Sequence, residues 1–486
     1  MQKSSTTHST PPAAEHNAEG LEAAYDAFRA AYPDFDATAR FDTLRASEFA
    51  RLDANHHVYL DYTGGSQYAE SQLTEHEALL RKNIFGNPHS ENPSSQVSTR
   101  LDEQARRYVL RYFNASPDEY AVIFTPNASG ALKLVGESYP FSADSRYVLT
   151  FDNHNAVNGV REFARARGAR ITYVPVVAPE LRIDREQLLN ELSHPNRNGN
   201  NLFVYPAQSN FSGVQHSLEW IEVAHSSGWD VVLDAAAFVP TNRLDLGVHH
   251  PDFVPVSFYK MFGYPTGVGC LLARRNALKK LRRPWFSGGT IEIVSVQGDR
   301  YAFAEGERAF EDGTINYLSL PAIEIGLKFL EKVDVQLLHN RMMSFTGWLL
   351  ENLSSLVHAN GKPLVEIYGP RTTLDRGGTI ALNFHDPDGR VFNFHHIEQA
   401  ASQRNISLRT GCFCNPGAGE IAFGLTGSDM RECFIHEERS SFERCIVAMK
   451  GKTAGAVRVS LGIATNFEDV YRFLQFARTF LDIAAP

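Results

Sequence analysis

The sequence has no run of about 18 apolar residues, the length a helix needs to cross a bilayer. A membrane-spanning segment is therefore not expected. The first twenty residues, MQKSSTTHSTPPAAEHNAEG, hold none of the apolar stretch a secretory signal requires and read as a disordered tail. With nothing to direct export, the expected location is the cytoplasm. Cysteine is scarce as well. The five cysteines are Cys270, Cys412, Cys414, Cys433 and Cys445, an odd count with four crowded late in the chain. That is unlike a secreted disulfide framework, so in a reducing compartment each is expected to be a buried apolar residue or a nucleophile. Positive charge is not in excess. The formal charge is -9, which argues against nucleic acid or a membrane surface as a general partner. No internal repeat is visible.

What remains is a soluble-type composition, 43% apolar and 21% charged over 486 residues, enough for two or three domains. After the tail (1–20), an arm over 21–54 opens with a helix near 21–31, where Leu21, Tyr25 and Phe28 share a face. From about 55 to 320, short apolar runs alternate with helical stretches. The runs are AVIFT (121–125), YVLTF (147–151), ITYVPV (171–176), NLFVY (201–205), DVVLDA (230–235), FVPVSF (253–258) and GVGCLLA (267–273). Such alternation predicts an α/β fold, a mostly parallel sheet covered on both faces. From 321, starting with the helical PAIEIGLKFLEKV, the pattern predicts a smaller α+β domain to 486. The polar stretch from about 417 to 455 is expected to hold a long loop.

Sheets of this kind bind ligands beyond the carboxyl ends of their strands. Polar residues gather there: Asn127 to Ser129, Asp152 to His154, Gln208 to Asn210, Asp234, and Ser257 to Lys260. Lys260 follows a buried run inside Gly- and Pro-rich turns. Desolvation there lowers a lysine's pKa and frees its lone pair for a Schiff base; the alternative is a surface lysine beside a turn. Asp234 ends an apolar run and either keeps the pyridine nitrogen of pyridoxal phosphate protonated or caps a loop. Ala128, Ser129 and Gly130 open a helix, where backbone N–H groups suit a phosphate; many helices also begin this way for capping alone. His154 either stacks on a cofactor ring and moves protons or is a satisfied loop histidine. Cys414 lies in LRTGCFCNPGAG, a loop in which Arg409 can favour the thiolate. With Cys412 it could instead be one of two small buried residues; a lone C-x-C makes a poor zinc site, and no metal is expected. Arg458, inside the apolar AGAVRVSLG, needs a partner, either a substrate carboxylate or an internal carboxylate.

Together these residues resemble the aminotransferase class V group of fold-type I pyridoxal-phosphate enzymes, which includes the cysteine desulfurases. The resemblance is nearest to the amino-terminal domain of eukaryotic molybdenum cofactor sulfurases. The segments that carry it run over about residues 55 to 480: LDYTGGSQY, FGNPHS, FTPNASGALKLV, DNHNAV, YPAQSNFSG, LDAAAF, SFYKMFGYPTGVG, FEDGT, LRTGCFCNPGA and GAVRVSLG. It implies that Lys260 carries the cofactor as a Schiff base, Asp234 pairs with the ring nitrogen, His154 stacks on the ring and Asn210 meets its hydroxyl. Ala128, Ser129, Ser257 and Tyr259 would hold the phosphate. Thr314 would reach the phosphate of a second subunit, in a homodimer. Arg458 and Arg409 would bind the substrate carboxylate, and Cys414 would accept sulfur as a persulfide.

Two positions depart from typical desulfurases: Ala237 stands where they carry glutamine, and Tyr259 where they carry histidine. The tyrosine fits the molybdenum cofactor sulfurase branch. That branch normally adds a carboxyl-terminal domain for the molybdenum cofactor, and Pro486 ends this chain before one. The expected reaction is conversion of L-cysteine, or another small amino acid, to L-alanine with sulfur passed from Cys414 to an acceptor. Cys412 could relay it, though a packing role fits better. Two other readings remain. One is a lyase, β-decarboxylase or carbon–carbon bond-forming enzyme of the same fold in a secondary-metabolite pathway. The other is a non-catalytic scaffold.

Overall fold

The computed structural model describes residues 18–434, 439–450 and 452–486. The expected tail falls on residues 1–17, outside the described residues; residues 18–20 already belong to the first helix, α1 (Ala18–Ala31).

Among the described residues, seven strands form the main sheet: β1 (Tyr120–Thr125), β2 (Arg146–Thr150), β3 (Arg170–Val174), β4 (Asn201–Pro206), β5 (Asp230–Asp234), β6 (Phe253–Ser257) and β7 (Gly269–Arg274). Their spatial order is β1-β7-β6-β5-β4-β2-β3. Only β7 runs against the others, pairing antiparallel with both β1 and β6. The period-2 alternation of strand side chains explains the continuous apolar runs. Val122 and Phe124 pack into one core while Ala121 and Ile123 pack into another on the opposite face. With both faces covered, a strand has no side left for polar residues.

Helices α2 (Pro93–Tyr112), α3 (Ala128–Ser138) and α4 (Asn155–Ala166) flank this sheet. Two long helices follow, α5 (Pro321–Val333) and α6 (Val335–Ser354). Proline at the start of α5 supplies a preset φ, and Ile323, Leu327 and Leu330 bury one stripe at helical spacing. A second, antiparallel sheet holds β8 (Val365–Tyr368), β9 (Thr379–Phe384), β10 (Arg409–Gly411) and β11 (Ala456–Ser460) in the order β8-β9-β11-β10.

Two expectations need correction. The stretch after 417 is helical rather than a long loop: α7 (Pro416–Ala422), α8 (Gly427–Cys433) and α9 (Arg439–Lys450) cover most of its described part. Thr426 and Asp429 form a reciprocal cap at the start of α8. Cys433 and Cys445 are joined by a disulfide, which ties α8 to α9, so they are neither isolated packing residues nor nucleophiles. The last helix, α10 (Phe467–Arg478), returns against the beginning of the chain. There Phe28 stacks on Phe345 and meets Phe467, and Arg45 pairs with Asp469 at 2.5 Å.

Candidate active site

The carboxyl ends of β1, β2, β4, β5 and β6 converge on one cavity of about 340 Å³. That volume lies within the usual range of small-molecule sites, about 300–1,000 Å³. Ala128, Ser129, His154, Asn210, Asp234, Ser257, Tyr259 and Lys260 all line it, so eight residues from five strand ends and the loops after them meet in one place.

One end of the cavity is built for an anion. Asn127 Oδ1 accepts the Gly130 N–H at 2.9 Å and fixes the start of α3, turning the remaining N-terminal donors outward. Ser257 Oγ accepts the Ala128 N–H at 3.0 Å, while Ser129 is exposed. Gly269, opening β7, is required by close approach. A β-carbon there would lie 2.5 Å from the Val256 carbonyl oxygen and 2.7 Å from Asn127. Thr266 and Gly267, which the sequence did not single out, also line this end.

Lys260 sits in the short helix Phe258–Phe262 directly after β6. Gly263 closes that helix at φ +80°, and a β-carbon there would strike the Tyr68 backbone nitrogen at 2.4 Å. Burial lowers the lysine's pKa, while Asp234 pulls it back up. No described residue accepts a hydrogen bond from the amine. Asp234 is itself buried at the end of β5, where its Oδ1 accepts the Ala236 N–H at 3.0 Å. His154 is half-buried, and burial lowers its pKa as well, with Asp234 again opposing. Its Nδ1 accepts the Ala156 N–H at 3.1 Å, so the ring also caps α4. This histidine thus lines the cavity and caps a helix at once.

Cys414 is exposed, Cys412 is half-buried and Cys270 is buried. Asn210 reaches towards the Cys414 segment, donating Nδ2 to the Phe413 carbonyl at 2.7 Å. Arg458 is buried in β11 with its fork already engaged: one nitrogen donates to the Asn210 carbonyl and another to Asp61, each at 3.0 Å. Its Nε is buried without a partner. Arg409, exposed on β10, donates to the other oxygen of Asp61, through Nε at 3.0 Å. Both arginines thus have an internal carboxylate as partner. Asp61 is the residue that sequence reasoning missed; it ends LD in LDYTGG, an acidic residue closing an apolar run much as Asp234 does. Asn415, between Asn210 and β2, was missed as well. Thr314 does not line this cavity. It is exposed on a neighbouring one of about 360 Å³ that shares Pro126 and Gly267 with it.

The residues fit pyridoxal phosphate. A desolvated, unpartnered amine stands among a buried carboxylate, a helix start with serines beside it, and an imidazole that burial keeps neutral.

Comparison with known proteins agrees. The model of the aminotransferase class-V family matches residues 58–473. The molybdenum cofactor sulfurase of Solanum lycopersicum is 36% identical over 470 residues, covering 90% of this chain and 57% of that protein. The molybdenum cofactor sulfurase of Homo sapiens is 37% identical over 454 residues, covering 89% and 50%. The chain thus spans about half the length of the curated relatives it matches. Among solved structures, the cysteine desulfurase of Thermococcus onnurineus superposes with a TM-score of 0.74 at 22% identity, covering 90% of this chain and 97% of that one. The cystine C–S lyase C-DES, in complex with cysteine persulfide, superposes with a TM-score of 0.66 at 17% identity, covering 87% and 98%. The fold is the one these enzymes share.

Proposed function

The chain belongs to the aminotransferase class-V family, and we propose that it is a pyridoxal-phosphate-dependent cysteine desulfurase of the molybdenum cofactor sulfurase type. The observation that carries the reading is the meeting of a desolvated Lys260 amine and the Cys414 segment around Asn210, which lines the cavity and bonds to Phe413.

Lys260 would hold the cofactor and would move the proton at the substrate α-carbon. Asp234 would hold a proton at the cofactor's ring nitrogen, and His154 would bind beside the ring. Ala128, Ser129, Ser257 and Tyr259 receive the phosphate, and Asn210 the ring hydroxyl. When bound, pyridoxal phosphate supplies an electron sink for negative charge at the substrate α-carbon. The cluster of Arg409, Asp61 and Arg458 carries one net positive charge and orients the substrate carboxylate. The Cys414 thiolate bonds to the substrate sulfur as the carbon–sulfur bond breaks and the carbon takes a proton. L-cysteine and the Cys414 thiol become L-alanine and a Cys414 persulfide, which passes its outer sulfur to an acceptor.

The test is incubation of the protein with pyridoxal phosphate and L-cysteine, with alanine, pyruvate, sulfide and bound persulfide all assayed. Alanine with persulfide is expected, and Cys414→Ser should abolish the persulfide. Lys260→Ala should remove the visible absorbance and lower turnover by at least about 100-fold. Pyruvate with free sulfide, undiminished in Cys414→Ser, would replace this reading with a lyase.

The same proposal includes a homodimer in which Thr314 serves the second subunit. Supporting it, the hairpin Ile291–Phe303 exposes Ile293, Val296 and Tyr301; a monomer by light scattering removes it. It also includes a cofactor-binding part up to about residue 320 and a smaller part beyond, supported by the two separate sheets and checked by limited proteolysis. No described helix is long and apolar enough to cross a membrane. A cytoplasmic site is proposed from the sequence, although the Cys433–Cys445 disulfide runs against a reducing compartment; cell fractionation checks it.

A further inference from the structure

Cys414 is exposed, yet the backbone that carries it is held on three sides. Asn155 donates its N–H to the Cys414 carbonyl at 2.7 Å. Asn210 donates Nδ2 to the Phe413 carbonyl at 2.7 Å. Asn415, fully buried, donates its amide to the Asp152 carbonyl at 2.7 Å and to Asn210 Oδ1 at 2.9 Å, while its own Oδ1 accepts the Ala418 N–H at 3.2 Å and caps α7.

The turn these bonds hold is a costly one. Phe413 and Cys414 both have φ +55°. Two successive non-glycine residues in the left-handed region are strained and persist only where the surroundings over-determine them. Asn415 is suited to that task. Its two N–H donors reach the segments that follow β2 and β4, which present His154 and Asn210, and its oxygen holds the helix that follows. A serine in its place could cap the helix but has one donor. An aspartate could cap it but would face two oxygens with a negative charge.

We propose that Asn415 is a positioning residue that fixes the Cys414 thiol at the cavity, so that the sulfur acceptor must come to Cys414 rather than Cys414 swing out to meet it. The consequence for turnover rests on Cys414 being the nucleophile. The rigidity itself does not, because it is measurable without any reaction.

Asn415→Ser keeps an oxygen for the helix cap and removes the paired donors. A displacement of about 1 Å in a reacting group can cost 100-fold, so persulfide formation should fall by about 10- to 100-fold. The KM for L-cysteine should stay within about twofold, since it does not read the thiol's position. Hydrogen exchange read by mass spectrometry should be slow in the wild-type peptide over 408–418 and fast in the variant. A variant that forms persulfide at the wild-type rate overturns the proposal. So does a wild-type segment that exchanges as fast as an exposed loop, and this measurement decides the matter if the variant does not fold. Persulfide formed undiminished in Cys414→Ser would sink the nucleophile reading and leave the exchange result standing, so the two failures are separable.

Discussion

At the scale of single residues, the site is a set of side chains each serving two masters. His154 lines the cavity and also accepts the Ala156 N–H that starts α4. A protonated Nδ1 could not accept that bond. Its pKa, lowered chiefly by burial, has the same sense. Because the folded value lies below the unfolded one, folding favours the neutral ring, and the stability this contributes is present above the unfolded value, about 6.5, and lost as pH falls from there through the lower folded value. The two roles separate by substitution. Asparagine is among the best capping residues, so His154→Asn should keep the melting temperature, whereas His154→Ala should cost about 1 kcal/mol. Both should lose turnover if the imidazole acts on the cofactor. Thermal melts beside activity assays check this, and a His154→Asn protein as active as wild type would reduce His154 to a cap.

Arg458 illustrates what a residue-level reading can and cannot decide. An arginine in an apolar run must have a partner, and that much is legible from the run itself. Which partner depends on Asp61, 397 positions away in sequence. No local pattern connects the two.

At the scale of elements, helix starts do most of the positioning. Asn127, His154 and Asn415 each cap the helix that follows a strand or turn of the site. In every case a β/extended or irregular residue precedes a run of helical ones, so the chain turns sharply where a ligand can meet free N–H groups. Asn127→Ala should therefore cost about 1 kcal/mol of stability and weaken retention of pyridoxal phosphate, measured by dialysis of the loaded protein. Retention equal to wild type would show that the phosphate end does not depend on the start of α3. The strands were legible because all but the edge strand β3 are buried on both faces, and their ends match the apolar runs within a residue or two. The segment after 417 was not. Its helices draw on a disulfide, reciprocal caps and contacts with a small apolar cluster around Cys433, Cys445 and Ile446 rather than on an amphipathic stripe.

At the scale of the whole molecule, the beginning and end of the chain are bound to each other. Val58 and Tyr59 pair with Ile406 and Ser407, Asp61 reaches both Arg409 and Arg458, and Arg45 reaches Asp469. Asp469 is buried, and burial pushes its pKa up to about 6 even with Arg45 alongside. A carboxyl whose folded pKa is raised contributes stability that is full below its unfolded value, near 3.8, and is lost as pH rises through about 6. Arg45→Met should thus destabilise strongly at pH 8, by roughly 3–5 kcal/mol, because it leaves a buried charge unpaired. Much of the loss should be recovered at pH 5, where Asp469 takes up a proton. Thermal melts at the two pH values check this, and an equal loss at both would point to lost packing instead.

The sequence by itself determined the alternation of strand and helix, the crevice at the strand ends, and the residue types gathered there, because each of these follows from the period of a single segment or the chemistry of one side chain. The tertiary structure alone decided that Asp61 pairs with both arginines, that Asn415 bonds to Asp152 and Asn210, that Cys433 meets Cys445, and that Thr314 faces a neighbouring cavity. Those are contacts between segments far apart in the chain, and their geometry exists only once the two sheets and the helices around them have packed.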